Sequence, residues 1–235
     1  MLSKDKNWLV AKFGGTSVSS LKSWQTIYEI ISSYKEKNLN PLIVCSALSS
    51  VSTKLDRLSQ LASQSCFKEA FDELKKNHLS FAHELQLDSQ AKDFIEEEFK
   101  KLEKLCLGLS FFQKVSPDIK ARILSFGELL LTRLACFFLE KKGLKVLFFD
   151  ARKALFTKKN ICEISEYLNA RCEPFFSQEL RTRLLAEDCD LVLTQGFIAA
   201  NKQKETVLLG RGGSDTSAAY FSVLLGAKRL DIWTD

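Results

Sequence analysis

Histidine is almost missing from this chain: His78 and His83 are the only two in 235 residues. They stand five apart in a helically patterned stretch, which puts them on different faces. A metal-binding pair wants a spacing of four, as in H-E-x-x-H. Cysteine offers no metal site either, because the seven cysteines (45, 66, 106, 136, 162, 172 and 189) include no C-x-x-C pair. An odd number scattered in this way reads as reduced thiols rather than a disulfide framework. Cys45, Cys106, Cys136 and Cys189 lie in apolar stretches, where cysteine acts as a small hydrophobe. No metal site built from protein groups alone is expected.

Other absences narrow the class further. No apolar run approaches the ~20 residues of a membrane span. The first residues are polar and include Asp5, so no secretory signal is expected. The net charge of +5 is spread along the chain, and the longest same-sign run, Glu96 to Glu98, reads as a solvated helix face. There is no basic patch with interleaved aromatics, so nucleic-acid binding is not expected. No internal repeat or low-complexity linker appears. With 46% hydrophobic and 27% charged residues, the chain is expected to be globular, soluble and cytoplasmic, with no membrane association.

What is present is an alternation of short apolar runs and helical periodicity. Residues 8–13 form a buried-strand pattern stopped by Gly14 and Gly15, and helical spacing follows from Val18 to about Lys37. A second strand at 41–46 and a helix from Val51 complete a β-α-β-α pattern, the mark of a mostly parallel sheet. From 66 to 112 no strand pattern occurs. Two charged amphipathic helices around a turn near Asp88 and Ser89 read as a helical hairpin inserted into an α/β domain. The alternation then resumes with a long helix at 118–142 closed by Gly143, a strand at 145–150, and mixed signals from 151 to 169. A helix is expected at 174–187, strands at 191–194 and 206–209, a helix at 214–225 and a last strand from Arg229.

Two glycine-rich loops join strands to helices. The first carries Lys12, Gly14, Gly15, Thr16 and Ser17. Paired glycines admit an anion to backbone N–H groups, and a helix N-terminus favours negative charge. Such a pair is also an ordinary turn, and the lysine precedes the glycines, unlike the G-x-x-x-x-G-K-[ST] loop. The second loop, 210–217 (GRGGSDTS), brings together glycines, Arg211, Ser214 and Asp215. Arginine suits a carboxylate or phosphate. Asp215 could orient a lysine or help hold Mg²⁺, while Ser214 or Asp215 is expected to cap the helix. Gly127 and Glu128 lie within an otherwise apolar helix. A glycine there costs about 1 kcal/mol relative to alanine, and close approach of another group is one reason to keep it. Glu128 by itself reads either as a solvated helix glutamate or as a carboxylate facing a ligand ammonium.

Residues 10–18 (VAKFGGTSV) resemble the N-terminal signature of the aspartate kinases, within the amino-acid kinase family. The segments 125–128 (SFGE), 194–197 (TQGF), 209–218 (LGRGGSDTSA) and 231–235 (DIWTD) resemble that family's further motifs, in its order. The segment at 66–112 resembles the insertion of the monofunctional bacterial and plant-type enzymes. The resemblance implies a three-layer α/β/α sandwich around a mainly parallel eight-stranded sheet. It also implies transfer of the ATP γ-phosphate to the β-carboxylate of L-aspartate, with Mg²⁺ carried on the nucleotide, in a homodimer. The product, 4-phospho-L-aspartate, leads towards lysine, threonine and methionine.

Carried over by position, Lys12 matches the lysine that neutralises the transferring phosphoryl group, and Asp215 the acid that organises it. Gly14, Gly15, Thr16 and Ser17 match the phosphate loop, and Thr234 and Asp235 the start of the nucleotide-base and ribose site. Ser46, Ser52, Glu128, Phe197, Arg211, Gly212, Gly213 and Ser214 match the aspartate side, with Glu128 on the ammonium and Arg211 on the α-carboxylate. The sequence departs from the family at 46–52 (SALSSVS), where Ser50 replaces a glycine and Ser52 a threonine. Residues 1–235 are expected to be a catalytic domain without the end of its nucleotide pocket or the paired ACT regulatory domains. Another amino-acid kinase, and a folded or dimerising fragment that does not hold ATP, are the alternatives.

Overall fold

A computed structural model describes residues 7–157 and 163–233. The central sheet has five strands: β1 (Asn7–Phe13), β2 (Leu39–Cys45), β3 (Val146–Phe149), β4 (Leu191–Gln195) and β7 (Arg229–Trp233). Their order is β3-β4-β2-β1-β7, and every pairing is parallel. Between β4 and β7 in sequence, β5 (Ile198–Ala200) and β6 (Thr206–Leu208) form a separate antiparallel hairpin. The sheet expected to have eight strands thus has five among the described residues. β1 sits inside the sheet, and its Leu9, Val10 and Ala11 are wholly buried. A strand covered on both faces reads as a continuous apolar run rather than an alternation.

The helices are α1 (Leu21–Glu36), α2 (Val51–Ser63), α3 (Lys68–Glu84), α4 (Ser89–Phe112), α5 (Pro117–Lys141), α6 (Glu163–Leu168), α7 (Gln178–Leu185) and α8 (Gly213–Leu225). Local chemistry sets many of their ends. The Ser20 hydroxyl accepts from the Ser23 N–H at the start of α1, and the Asp88 carboxylate accepts from Gln90 N–H at the start of α4. Pro117 occupies the first turn of α5, and Gly143 lies just past its end.

Neighbouring residues of β3 reveal the layering. Phe148 lies under the Arg133 guanidinium of α5, whereas Phe149 meets Phe221 of α8 edge-on. Adjacent strand residues point to opposite faces, so α5 and α8 cover opposite sides of the sheet. Trp24 of α1 touches Phe138 of α5, which places α1 beside α5. This is the expected α/β/α sandwich. The hairpin of α3 and α4 packs outside α2 and α5, joined by Phe71 against Phe99 and Phe94 against Phe137. His78 is buried within this hairpin and His83 is exposed.

Two expectations need correction. The helix expected over 174–187 is confined to α7, because Ser177 caps it by accepting from Leu180 N–H; Phe175 and Phe176 before it are irregular and exposed. Neither Ser214 nor Asp215 caps α8. Gly212, in a left-handed conformation at φ 70°, is its N-cap.

Candidate active site

Parallel pairing brings the C-terminal ends of β1, β2, β4 and β7 to one edge, in the register Phe13↔Cys45, Phe13↔Trp233 and Cys45↔Gln195. Ligands of open α/β sheets bind outside this edge. A cleft of about 450 Å³ opens there, between the β1 end, the β2–α2 loop, α5 and the start of α8.

Lys12 leaves the end of β1 almost wholly buried, and its Nζ lies 2.8 Å from the Asp215 carboxylate of α8, which is half exposed. The pair ties the first glycine loop to the second. Asp215 lies in the first turn of α8, past its N-cap, and its carboxylate meets the lysine instead. Gly15 lines the cleft, and a Cβ built on it would lie 3.1 Å from the Ala47 carbonyl oxygen. A Cβ on Gly14 would stand 3.4 Å from Lys12 Nζ. A side chain at position 14 would stand beside the ammonium and one at position 15 would crowd the β2–α2 loop, so the loop is a cradle suited to a phosphate group. Thr16 and Ser17 lie one step further on, in a 3₁₀ turn (Thr16–Val18), and do not line the cleft.

Glu128 is 3% exposed, so its helix position is not a solvated one. One carboxylate oxygen accepts from the Ala47 N–H at 3.2 Å, and Oε2 has no partner. Burial pushes its pKa up to about 8. A buried carboxyl left half satisfied is costly unless something else meets it. Gly127 makes this possible: a Cβ there would lie 2.8 Å from the Ala47 Cβ and 3.3 Å from Val51 Cγ1. Its absence lets the β2–α2 loop press against α5 and deliver the Ala47 N–H.

Arg211, exposed at the rim, lines the same cleft with Ser46, Ser52, Phe197, Gly212, Gly213 and Ser214. Phe197 adopts φ 66° and is fixed by its N–H to Ser217 Oγ and its carbonyl to Leu209 N–H. Thr234 and Asp235 lie outside the described residues. Among the described residues, no group of three or more His, Cys, Asp or Glu is placed to hold a metal ion, and no helix is long and apolar enough to cross a membrane.

The model of the family described as "Amino acid kinase family" matches residues 7–235. The chain belongs to the amino acid kinase family. Among its relatives, an aspartokinase of Chlamydia muridarum is 31% identical over all of this chain and 49% of its own length. The lysine-sensitive aspartokinase 3 of Escherichia coli is 30% identical over 97% of this chain and 49% of its own. The crystal structure of E. coli aspartokinase III in complex with aspartate and ADP superposes with a TM-score of 0.81 at 28% identity, covering 97% of this chain and 49% of that one. The chain spans about half the length of the curated relatives it matches.

At position 50, where the family resemblance leads one to expect glycine, Ser50 keeps a glycine-like backbone, with φ 65° and ψ −5° at the N-cap of α2. The loop geometry survives the substitution at the cost of left-handed strain. A further member of the site was not visible in the sequence. The Ser19 hydroxyl donates to the Gly15 carbonyl and accepts from the Ser49 N–H at 2.9 Å. It bridges the phosphate-type loop to the β2–α2 loop, thirty residues away in sequence.

Proposed function

We propose that this chain carries the catalytic domain of an aspartate kinase, with residues 66–112 as a helical insertion, transferring the γ-phosphoryl group of ATP to the β-carboxylate of L-aspartate. The observation that carries this reading is Glu128. A buried carboxyl with an unpartnered oxygen lines the same cleft as the pair formed by buried Lys12 and half-exposed Asp215. One end of the cleft therefore suits an ammonium and the other a transferring phosphate. The names and bound ligands of the relatives support the same assignment.

The geometry supports a role for each residue. Glu128 takes the substrate ammonium, and Arg211, exposed at the rim, takes its α-carboxylate in a bidentate pair. The β-carboxylate is the nucleophile. Its reference pKa is about 3.9, so it is ionised at neutral pH and requires no general base. The difficulty is to bring one anion up to another. Lys12, held in place by Asp215, is suited to neutralising negative charge, and the Gly15 N–H at the start of the 3₁₀ turn adds positive potential, while the Gly14 N–H is held by the Trp233 carbonyl. Mg²⁺, carried in with the nucleotide, neutralises charge on its phosphates when bound. The product is an acyl phosphate, and the same reading includes a homodimer and a cytoplasmic location.

Calorimetric titration with L-aspartate and with succinate, which lacks the ammonium, tests the assignment. L-Aspartate is expected to bind the wild-type protein far more tightly than succinate, and Glu128→Gln is expected to remove most of that preference. Equal binding of the two ligands by the wild-type protein would refute the role given to Glu128.

A further inference from the structure

A second cavity, of about 630 Å³, lies away from the cleft, between α4, α5, β3 and the turn that follows β3. It falls within the ~300–1,000 Å³ range of small-molecule sites. Its apolar lining comes from Phe94 and Leu105 of α4, Phe126 and Leu129 of α5, and Phe148 of β3. Five cations line it against two carboxylates, and both carboxylates are already engaged. Asp150 is gripped by the Arg152 guanidinium at 2.7 Å, whose other arm donates to Thr206 Oγ1 at 2.8 Å. Glu98 pairs with Lys101.

Lys104, Arg122 and Arg133 remain. Among the described residues none of them forms an ion pair. Arg133 is the most informative. Its guanidinium lies 4.8 Å from the Phe137 ring centroid and 5.6 Å from that of Phe148, half buried between two rings. Contact with two rings restricts the guanidinium and strips part of its water, and among the described residues no carboxylate pairs with it. A solvated surface arginine pays rotamer entropy to bind an anion, and this one has already lost much of it.

We propose that this cavity binds a small organic anion with a flat apolar body, of the class of aryl carboxylates, sulfonates or phosphate esters. The charged end is met by Arg133, with Arg122 and Lys104 around it. The apolar body lies on Phe126, Leu129 and Phe148. Inorganic anions meet only half of this chemistry and bind more weakly. The site is separate from the one that handles phosphate and amino acid, although α5 contributes to both.

Anilinonaphthalene sulfonate, a fluorescent anion of this class, is the probe, with uncharged phenylnaphthylamine as its comparison. One saturable site is expected, not displaced by ATP or L-aspartate. Arg133→Gln and Lys104→Gln are each expected to weaken binding about tenfold, as for loss of a hydrogen bond to a charged group. Lys104 is exposed on α4, so its substitution leaves the fold intact even if Arg133→Gln does not. Phe112→Ser, which breaks the exposed Phe111–Phe112 pair, is expected to leave the affinity unchanged. The proposal is overturned by absent saturation, by displacement with ATP, by unchanged affinity in Lys104→Gln, or by equal binding of the uncharged analogue.

Discussion

Replacing Glu128 with glutamine removes a buried ionisable group from the cleft while keeping the shape of the side chain. In the folded protein burial holds this carboxyl's pKa up to about 8, and its reference value in an unfolded chain is about 4.3. Between those values the folded state keeps a proton that the unfolded chain has released. The resulting stability is fully present below about pH 4 and is lost as the pH rises through about 8. Inside that window each pH unit costs up to about 1.4 kcal/mol, so moving from about pH 5 to about pH 8 costs up to roughly 4 kcal/mol. Glutamine has no such dependence. Urea unfolding of both proteins at several pH values reads the effect, since the other titrating groups cancel in the difference. The glutamine variant is expected to gain on the wild type by a few kcal/mol between about pH 5 and about pH 8. Parallel stability curves would refute the buried, half-satisfied carboxyl.

Three further substitutions probe the loops around it. Ser50→Gly is expected to stabilise the protein by about 1 kcal/mol in urea unfolding, from relief of left-handed strain less the extra freedom of unfolded glycine. Gly127→Ala is expected to destabilise by about 1–2 kcal/mol, since overpacking against Ala47 and Val51 exceeds the gain in helix propensity; calorimetry should also show weaker L-aspartate binding. Ser19→Ala is expected to lower kcat by about tenfold while the fold remains intact, because the bridge between Gly15 and Ser49 is lost; steady-state kinetics and circular dichroism separate the two effects.

The sheet and the long helices were legible in the sequence because their periods are clear. β1 is one apolar run, and α3 and α4 carry helical spacing over many turns. β5 was not legible: three residues after Phe197 at positive φ give no periodicity to read. The helix expected over 174–187 is shorter in the structure, where Phe175 and Phe176 are exposed and lie before the Ser177 cap. Within the site, the glycine loops and Lys12 stand out as motifs, whereas the burial of Glu128 does not. α5 is buried nearly all round, so its pattern gives no polar face against which to judge a glutamate. The Ser19 bridge depends on two loops meeting in space, and neither loop's sequence announces the other.

The central claim is phosphoryl transfer to a carboxylate, and trapping the acyl phosphate with hydroxylamine measures it directly. Incubated with MgATP and L-aspartate, the wild-type protein is expected to yield aspartyl hydroxamate, and Lys12→Ala to yield almost none. Hydroxamate formation by Lys12→Ala at a rate near that of the wild type would contradict the account.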